Sequence, residues 1–331
     1  MNDETVAAPR FSPRRLAHAN LFVTELDRSM MFYHRVCGFE EVAREPGISA
    51  GFLTNGNTHH DLGLMEIGKE TRTGVGGYVQ VAESRMKRAG LNHFGWELEN
   101  EKQLVDAYHR AVAAGVKIHR TTDHQVSHSV YVFDPEGNLN EFYADAMTDW
   151  RSVFNPELTD LISSHWDPDL APPSETPNYN PDPDLRRVDD AAFHSLRITH
   201  AALVARDIDR LRRFYEDVGG LTPVAESDDG DFVCLKGTSA AYDLVLMAAD
   251  DGLAPGLHHV SFEVDDDLDR GEKVLADSGL EARQRIDNAA KHSIFLRDPD
   301  GLEVEFCRPL DRGAAVALAI AGEKAMRPYL V

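Results

Sequence analysis

Two histidines and a glutamate recur in each half of this 331-residue chain. His18 lies in LAHANLFV, His93 in LNHFGWEL and Glu141 in NLNEFYAD, while His200, His259 and Glu305 occupy matching surroundings further on. A carboxylate within an apolar strand is costly to bury unless it is paired or bound, so each glutamate asks for a partner. Two imidazoles and one carboxylate form the facial ligand set of non-haem Fe(II), which leaves three adjacent coordination positions open for substrate and dioxygen, and Mn(II) suits the same ligands. A lone strand histidine is usually an ordinary core or surface residue; recurrence of all three in register supports a metal site.

Such ligands can meet only if several strands curl into a cup, and the chain repeats the elements that would do this. LAHANLFVTELDRSMMFYHRVCGFEEV aligns with ITHAALVARDIDRLRRFYEDVGGLTPV, pairing His18 with His200, Phe32-Tyr33 with Phe214-Tyr215 and Gly38 with Gly220. Each reads as strand, turn, amphipathic helix, glycine stop and strand. HSVYVFDPEGNLNEFY and HSIFLRDPDGLEVEF close the two halves. Four strand-helix-strand units therefore make two tandem α+β domains, expected over residues 14–146 and 196–309. A Pro- and Asp-rich segment, 147–195, reads as a linker or wrapping segment, and 310–331 as a terminal helix. The first half carries extra residues, assigned to a loop from Gly68 to Gly90.

A formal charge of −22 argues against nucleic acid and anionic membrane as partners, because no Lys/Arg cluster is present to hold phosphate. Cys37, Cys234 and Cys307 are widely separated, so neither a disulfide framework nor a thiolate zinc site is encoded, and a reducing cytoplasmic setting is expected. The N-terminal residues lack an apolar signal region, and AAVALAIAG is too short to span a bilayer. His59 and His60 should alternate across a strand, which turns one of them, taken as His60, into the cup. Phe52, Trp96 and Phe142 are candidates for an apolar wall around an aromatic ring.

The pattern H…NH-x-x-W…D-P-x-G-x-x-x-E-F resembles the vicinal oxygen chelate superfamily, and HSVYVFDPEGNLNEFYAD is similar to the active domain of two-domain type I extradiol ring-cleavage dioxygenases of the catechol 2,3-dioxygenase kind. The resemblance covers nearly the whole chain apart from the linker and both ends. It implies Fe(II) bound by His18, His93 and Glu141, with His124, His128 and Tyr131 as acid-base or hydrogen-bonding groups. It further implies a small aromatic diol and O2 as substrates, and a homo-oligomer as a plausible assembly. In the second half Asn288 replaces His124 and Phe295 replaces Tyr131, while His292 answers to His128, so the proton-handling set is fuller in the first half. The family habit of placing iron in the C-terminal domain keeps His200, His259 and Glu305 open as an alternative set. Two other readings share the scaffold: a glyoxalase-like metal-dependent lyase or isomerase, and a non-enzymatic binding protein.

Overall fold

The computed structural model describes residues 11–74, 77, 79–154, 163–265 and 267–331. The first half contains β1 (Arg15–Val23), α1 (Leu26–Arg35), β2 (Glu40–Glu45), β3 (Ala50–Thr54) and β4 (Leu62–Glu66). After a small hairpin, β5 (Arg72–Thr73) and β6 (Val79–Val81), come β7 (Gly90–Glu97), α2 (Glu101–Ala113), β8 (Ile118–Asp123), β9 (Ser127–Phe133) and β10 (Leu139–Asp145). The linker contributes β11 (Ser164–His165). The second half repeats the plan as β12 (Ser195–Ala205), α3 (Ile208–Asp217), β13 (Thr222–Glu226), β14 (Phe232–Lys236), β15 (Leu244–Ala248), β16 (Gly256–Val264), α4 (Leu268–Asp277), β17 (Gln284–Asp287), β18 (Lys291–Arg297) and β19 (Glu303–Pro309). It ends on α5 (Arg312–Ala321) and α6 (Arg327–Leu330).

Each half forms one curled mixed sheet. The first runs β11-β8-β9-β10-β7-β1-β4-β3-β2 and the second β13-β14-β15-β12-β16-β19-β18-β17. Within a unit the first and last strands pair in parallel, β1 with β4 and β7 with β10, and the two units join antiparallel through β1 and β7. The same pairings recur as β12–β15, β16–β19 and β12–β16. The glycine expected to stop the first helix does so at φ 78°, and a side chain there would also strike the Phe193 carbonyl, 2.3 Å from its Cβ. Side chains cap later helices: Asn100 accepts from Gln103 N at 2.9 Å and Asp207 from Arg210 N at 3.0 Å.

One hydrophobic core runs through both halves, including Phe39, Trp96, Tyr215 and Phe262. The halves also clasp each other reciprocally. Tyr33 of α1 donates to Asp298 of the second DPDG turn at 3.0 Å, and Tyr215 of α3 donates to Asp134 of the first DPEG turn at 3.3 Å. The Phe-Tyr pair repeated in the sequence thus marks a cross-domain latch. The described part of the Pro- and Asp-rich segment wraps the first domain, bonding to it through Lys102 N–Ser174 O at 2.9 Å and Arg186 N–Asn55 O at 2.6 Å. The Gly68–Gly90 insertion holds the β5–β6 hairpin and a 3₁₀ turn over Glu83–Arg85 rather than a plain loop. Among the described residues no helix is long and apolar enough to cross a membrane.

Candidate metal centre and its pocket

Strand register brings the first His/His/Glu set together. His18 on β1 lies opposite Gly95 on β7, which lies opposite Glu141 on β10, so the two ligands flank a glycine in one row across three strands. A Cβ on Gly95 would stand 2.0 Å from the His18 ring; the missing side chain is what lets the imidazole cross β7 to reach the carboxylate. His93, two residues before Gly95 on the same strand, faces the same side. His18 Nε2 and His93 Nε2 each lie 3.0 Å from Glu141 Oε2, and all three side chains are buried.

Electrostatics favour a cation among these atoms. Burial depresses the His18 and His93 pKa values against the pull of Glu141, to about 4 for His93, so both rings are neutral near pH 7. Burial works to raise the Glu141 pKa, but the two histidines outweigh it and hold the carboxyl well below its usual range. His93 Nδ1 is held by Asn92 Oδ1 at 3.1 Å, and with that nitrogen protonated the ring turns its Nε2 lone pair toward Glu141. A lone pair turned toward a carboxylate is repelled unless a positive charge sits between them. The donor set, two neutral imidazole nitrogens and a carboxylate oxygen, fits Fe(II) or Mn(II).

The other Glu141 oxygen belongs to a proton-bearing network. Ser129 Oγ donates to Glu141 Oε1 at 2.6 Å, and His124 Nε2 lies 3.6 Å from the same oxygen and 3.0 Å from the Tyr131 hydroxyl. His124 Nδ1 meets Ser163 Oγ at 3.0 Å. Burial lowers the His124 pKa to about 4 and, with Glu141 adding to it, raises that of Tyr131 well above its ordinary value. The Arg120 guanidinium covers the Tyr131 ring at 4.2 Å. Glu141, His124, Tyr131, Arg120 and Ser163 line a cavity of about 580 Å³, its open mouth included, whose other walls include Ile48, Phe52, Met65, Val81 and Phe154.

Some expected site residues lie elsewhere. His128 faces away from the cup, bonding Glu101 through Nδ1 at 2.7 Å and stacking on Trp166 at 4.7 Å. Trp96 is fully buried with its indole N–H on Asn140 Oδ1 at 2.9 Å and its ring 6.1 Å from Tyr215, in the core between the domains. Phe142 stacks on Phe11 at 4.0 Å, behind the sheet. All three occupy the opposite parity of their strands from the site residues, because adjacent strand residues point to opposite faces. His59 and His60 sit between β3 and β4, not on a strand, and so both line the cavity instead of alternating. The His60 ring is 4.1 Å from that of His18 with both nitrogens buried and unpartnered.

The second set differs. His200 Nε2 and His259 Nε2 are each 3.8 Å from Glu305 Oε2, and Lys291 Nζ binds Glu305 Oε1 at 2.5 Å. Gly95 and Ser129 went unrecognised in the sequence. A glycine in a strand hints at close approach of another group, but serine carries no comparable signal.

The family model for the Glyoxalase/Bleomycin resistance protein/Dioxygenase superfamily matches residues 15–142 and 197–306. A catechol-2,3-dioxygenase of Bacillus subtilis (strain 168) is 32% identical over 130 residues, 39% of this chain and 41% of that protein. The chain thus spans less than half the length of that relative. The fold is similar to the 2,3-dioxygenase LapB of Pseudomonas sp. KL28, with TM-score 0.62, 16% identity and coverage of 90% of this chain and 93% of that one. The Mn(II)-bound glyoxalase of Novosphingobium aromaticivorans matches with TM-score 0.62 and 16% identity over 91% of this chain and 84% of that one.

Proposed function

Because the chain belongs to the Glyoxalase/Bleomycin resistance protein/Dioxygenase superfamily, we propose that its first half is an extradiol dioxygenase site that opens a catecholic ring with O2 to a muconic semialdehyde-type product. Fe(II), or Mn(II) on the same ligands, would be held by His18, His93 and Glu141. The observation that carries this reading is the approach of both imidazole Nε2 atoms to one carboxylate oxygen, 3.0 Å each, with His93 and Glu141 lining a part-apolar cavity. When bound, the ion supplies Lewis acidity toward the diol oxygens and a path for electrons between ring and dioxygen.

The chain's own residues do the rest. Phe52, Ile48 and Phe154 offer apolar surface to an aromatic ring and keep water from it. His60, neutral because burial holds its pKa well below the ordinary value, has free ring nitrogens that can hydrogen-bond the diol and orient it. With Nδ1–H donating to Ser163, His124 Nε2 accepts from Tyr131, which keeps that phenol protonated and fixes it at the cavity wall. Ser129 occupies the Glu141 oxygen that the histidines leave, orienting the carboxylate.

Anaerobic reconstitution with Fe(II), followed by a simple catechol and air, tests this reading through the appearance of a yellow ring-fission product. Wild type and Glu305→Ala should both give colour, and Glu141→Ala none. Colour lost only in Glu305→Ala would move the reaction to the second half. No colour with any catechol, together with tight binding of Zn or Ni, would replace the reading with a redox-silent one.

A further inference from the structure

The second His/His/Glu cluster is as buried as the first, with His200 and His259 at 1% and 0% exposure and Glu305 at 0%. Its imidazoles are also turned inward: His200 Nδ1 is held by Thr199 Oγ1 at 3.0 Å and His259 Nδ1 by His258 at 2.8 Å, which leaves both Nε2 atoms, 3.4 Å apart, facing Glu305. Glu305 Oε2 points between them with no hydrogen-bond partner. A buried carboxylate in this state needs a positive charge.

That charge comes from the chain. Lys291 takes the strand position that Ser127 holds in the first half, and its ammonium reaches Glu305 Oε1 at 2.5 Å and the backbone oxygen of Val331. Ser293, the counterpart of the Ser129 that bonds Glu141, has an unpaired hydroxyl because the lysine has taken its carboxylate oxygen. Ser261 stands where Gly95 lets His18 through, and its Cβ keeps the His200 ring from an equally close approach. α5 and α6 then close the cup: Val316, Ala319 and Val331 pack on Val204, Phe232 and Val245, where the first half leaves an open cavity.

We propose that Lys291 is the resident cation of the second cluster, a side-chain ammonium held against Glu305 in place of a divalent metal ion, and that removing it unmasks a second metal site. The inference rests on the proposed function only for the count of metal in the first half; the dependence on Lys291 stands apart from it. Like charges in one dry site exclude each other, so the native chain takes up metal in the first cluster and not in the second.

The test is Co(II) stoichiometry, measured by elemental mass spectrometry and visible absorption after dialysis, in the full chain. Wild type should hold one equivalent, Lys291→Ala two, and Lys291→Ala/Glu305→Ala one; on a Glu141→Ala background, Lys291→Ala should hold one. A wild type with two equivalents, one of them lost in Glu305→Ala, overturns the proposal, as does a folded Lys291→Ala that gains none. A wild type with no metal beside Lys291→Ala with one would leave it standing and sink the first-half site instead. Should Lys291→Ala fail to fold, the thermal midpoint of Lys291→Met/Glu305→Gln decides: recovery beyond Lys291→Met alone is expected, and no recovery refutes the charge pairing.

Discussion

Gly95 matters as much to the candidate metal centre of the first half as the proposed ligands beside it. Adding one methyl group there sets a Cβ against the His18 ring, and β7 is tied into the sheet on both edges and has no room to retreat. Gly95→Ala is expected to leave the fold intact by circular dichroism and to weaken metal binding about 10- to 100-fold, as loss of a ligand-orienting group does. Tyr131→Phe should keep its metal and lose about 10²- to 10⁴-fold in kcat, whereas His128→Phe, remote from the cup, should turn over at close to the wild-type rate. Steady-state kinetics beside metal analysis separates these cases; a dead His128→Phe would mean that the Glu101–His128–Trp166 cluster reaches the site through α2. The His/His/Glu set was legible in the sequence because it occurs twice. The orientation of His128 and Trp96 was legible too, since His128 is three residues from Tyr131 and Trp96 three from His93, an odd spacing that puts strand residues on opposite faces. Resemblance of motif had obscured that parity.

The strand-helix-strand units were readable from their periodicity and glycine stops, and the pairing of β1 with β7 follows once two such units must share one cup. The reach of α1 and α3 into the opposite domain was not readable, because the phenol oxygens of Tyr33 and Tyr215 meet carboxylates more than 80 residues away along the chain. Both aspartates also receive the backbone N–H groups of their own turns, as Asp134 does from Glu136 and Asn138 at 2.9 Å. The tyrosine is therefore an added lock on a turn already formed. Tyr33→Phe and Tyr215→Phe should each lower unfolding stability by about 1.5–3 kcal/mol, the range for a hydrogen bond to a charged group, as measured by urea denaturation. Tyr215→Phe should also perturb β10 and hence Glu141, whereas Tyr33→Phe acts on the second half. Equal loss of metal affinity in both variants would show that the two latches act on the interface as a whole.

The molecule buries histidines in number, and this sets its response to acid. Burial holds His18, His60, His93, His124, His200 and His259 below the ordinary value, with His93 and His124 at about 4. The unfolded chain therefore binds more protons than the folded one as pH falls below about 6.5, and stability drops by up to about 1.4 kcal/mol per pH unit for each such group. Asp61 and Asp243, raised to about 6, and Asp134, Asp145 and Asp298, also raised, all mainly by burial, act the other way: folded, they hold protons that the unfolded chain releases until pH falls below about 4. The histidines outnumber them, so the metal-free protein should lose stability from pH 7 to pH 5, and denaturant midpoints across that interval would check it. A flat profile would mean that protonated histidines are tolerated inside the cups.

The reciprocal latch also bears on heredity. The half whose cup is filled still holds the DPEG turn that leads to Glu141, so if the proposed site is the working one, loss-of-function alleles should scatter over both halves of the coding sequence although its ligands lie in one. On the proposed assignment, the second copy would be kept for the shape with which it braces the first, whatever chemistry its own cup does or does not perform.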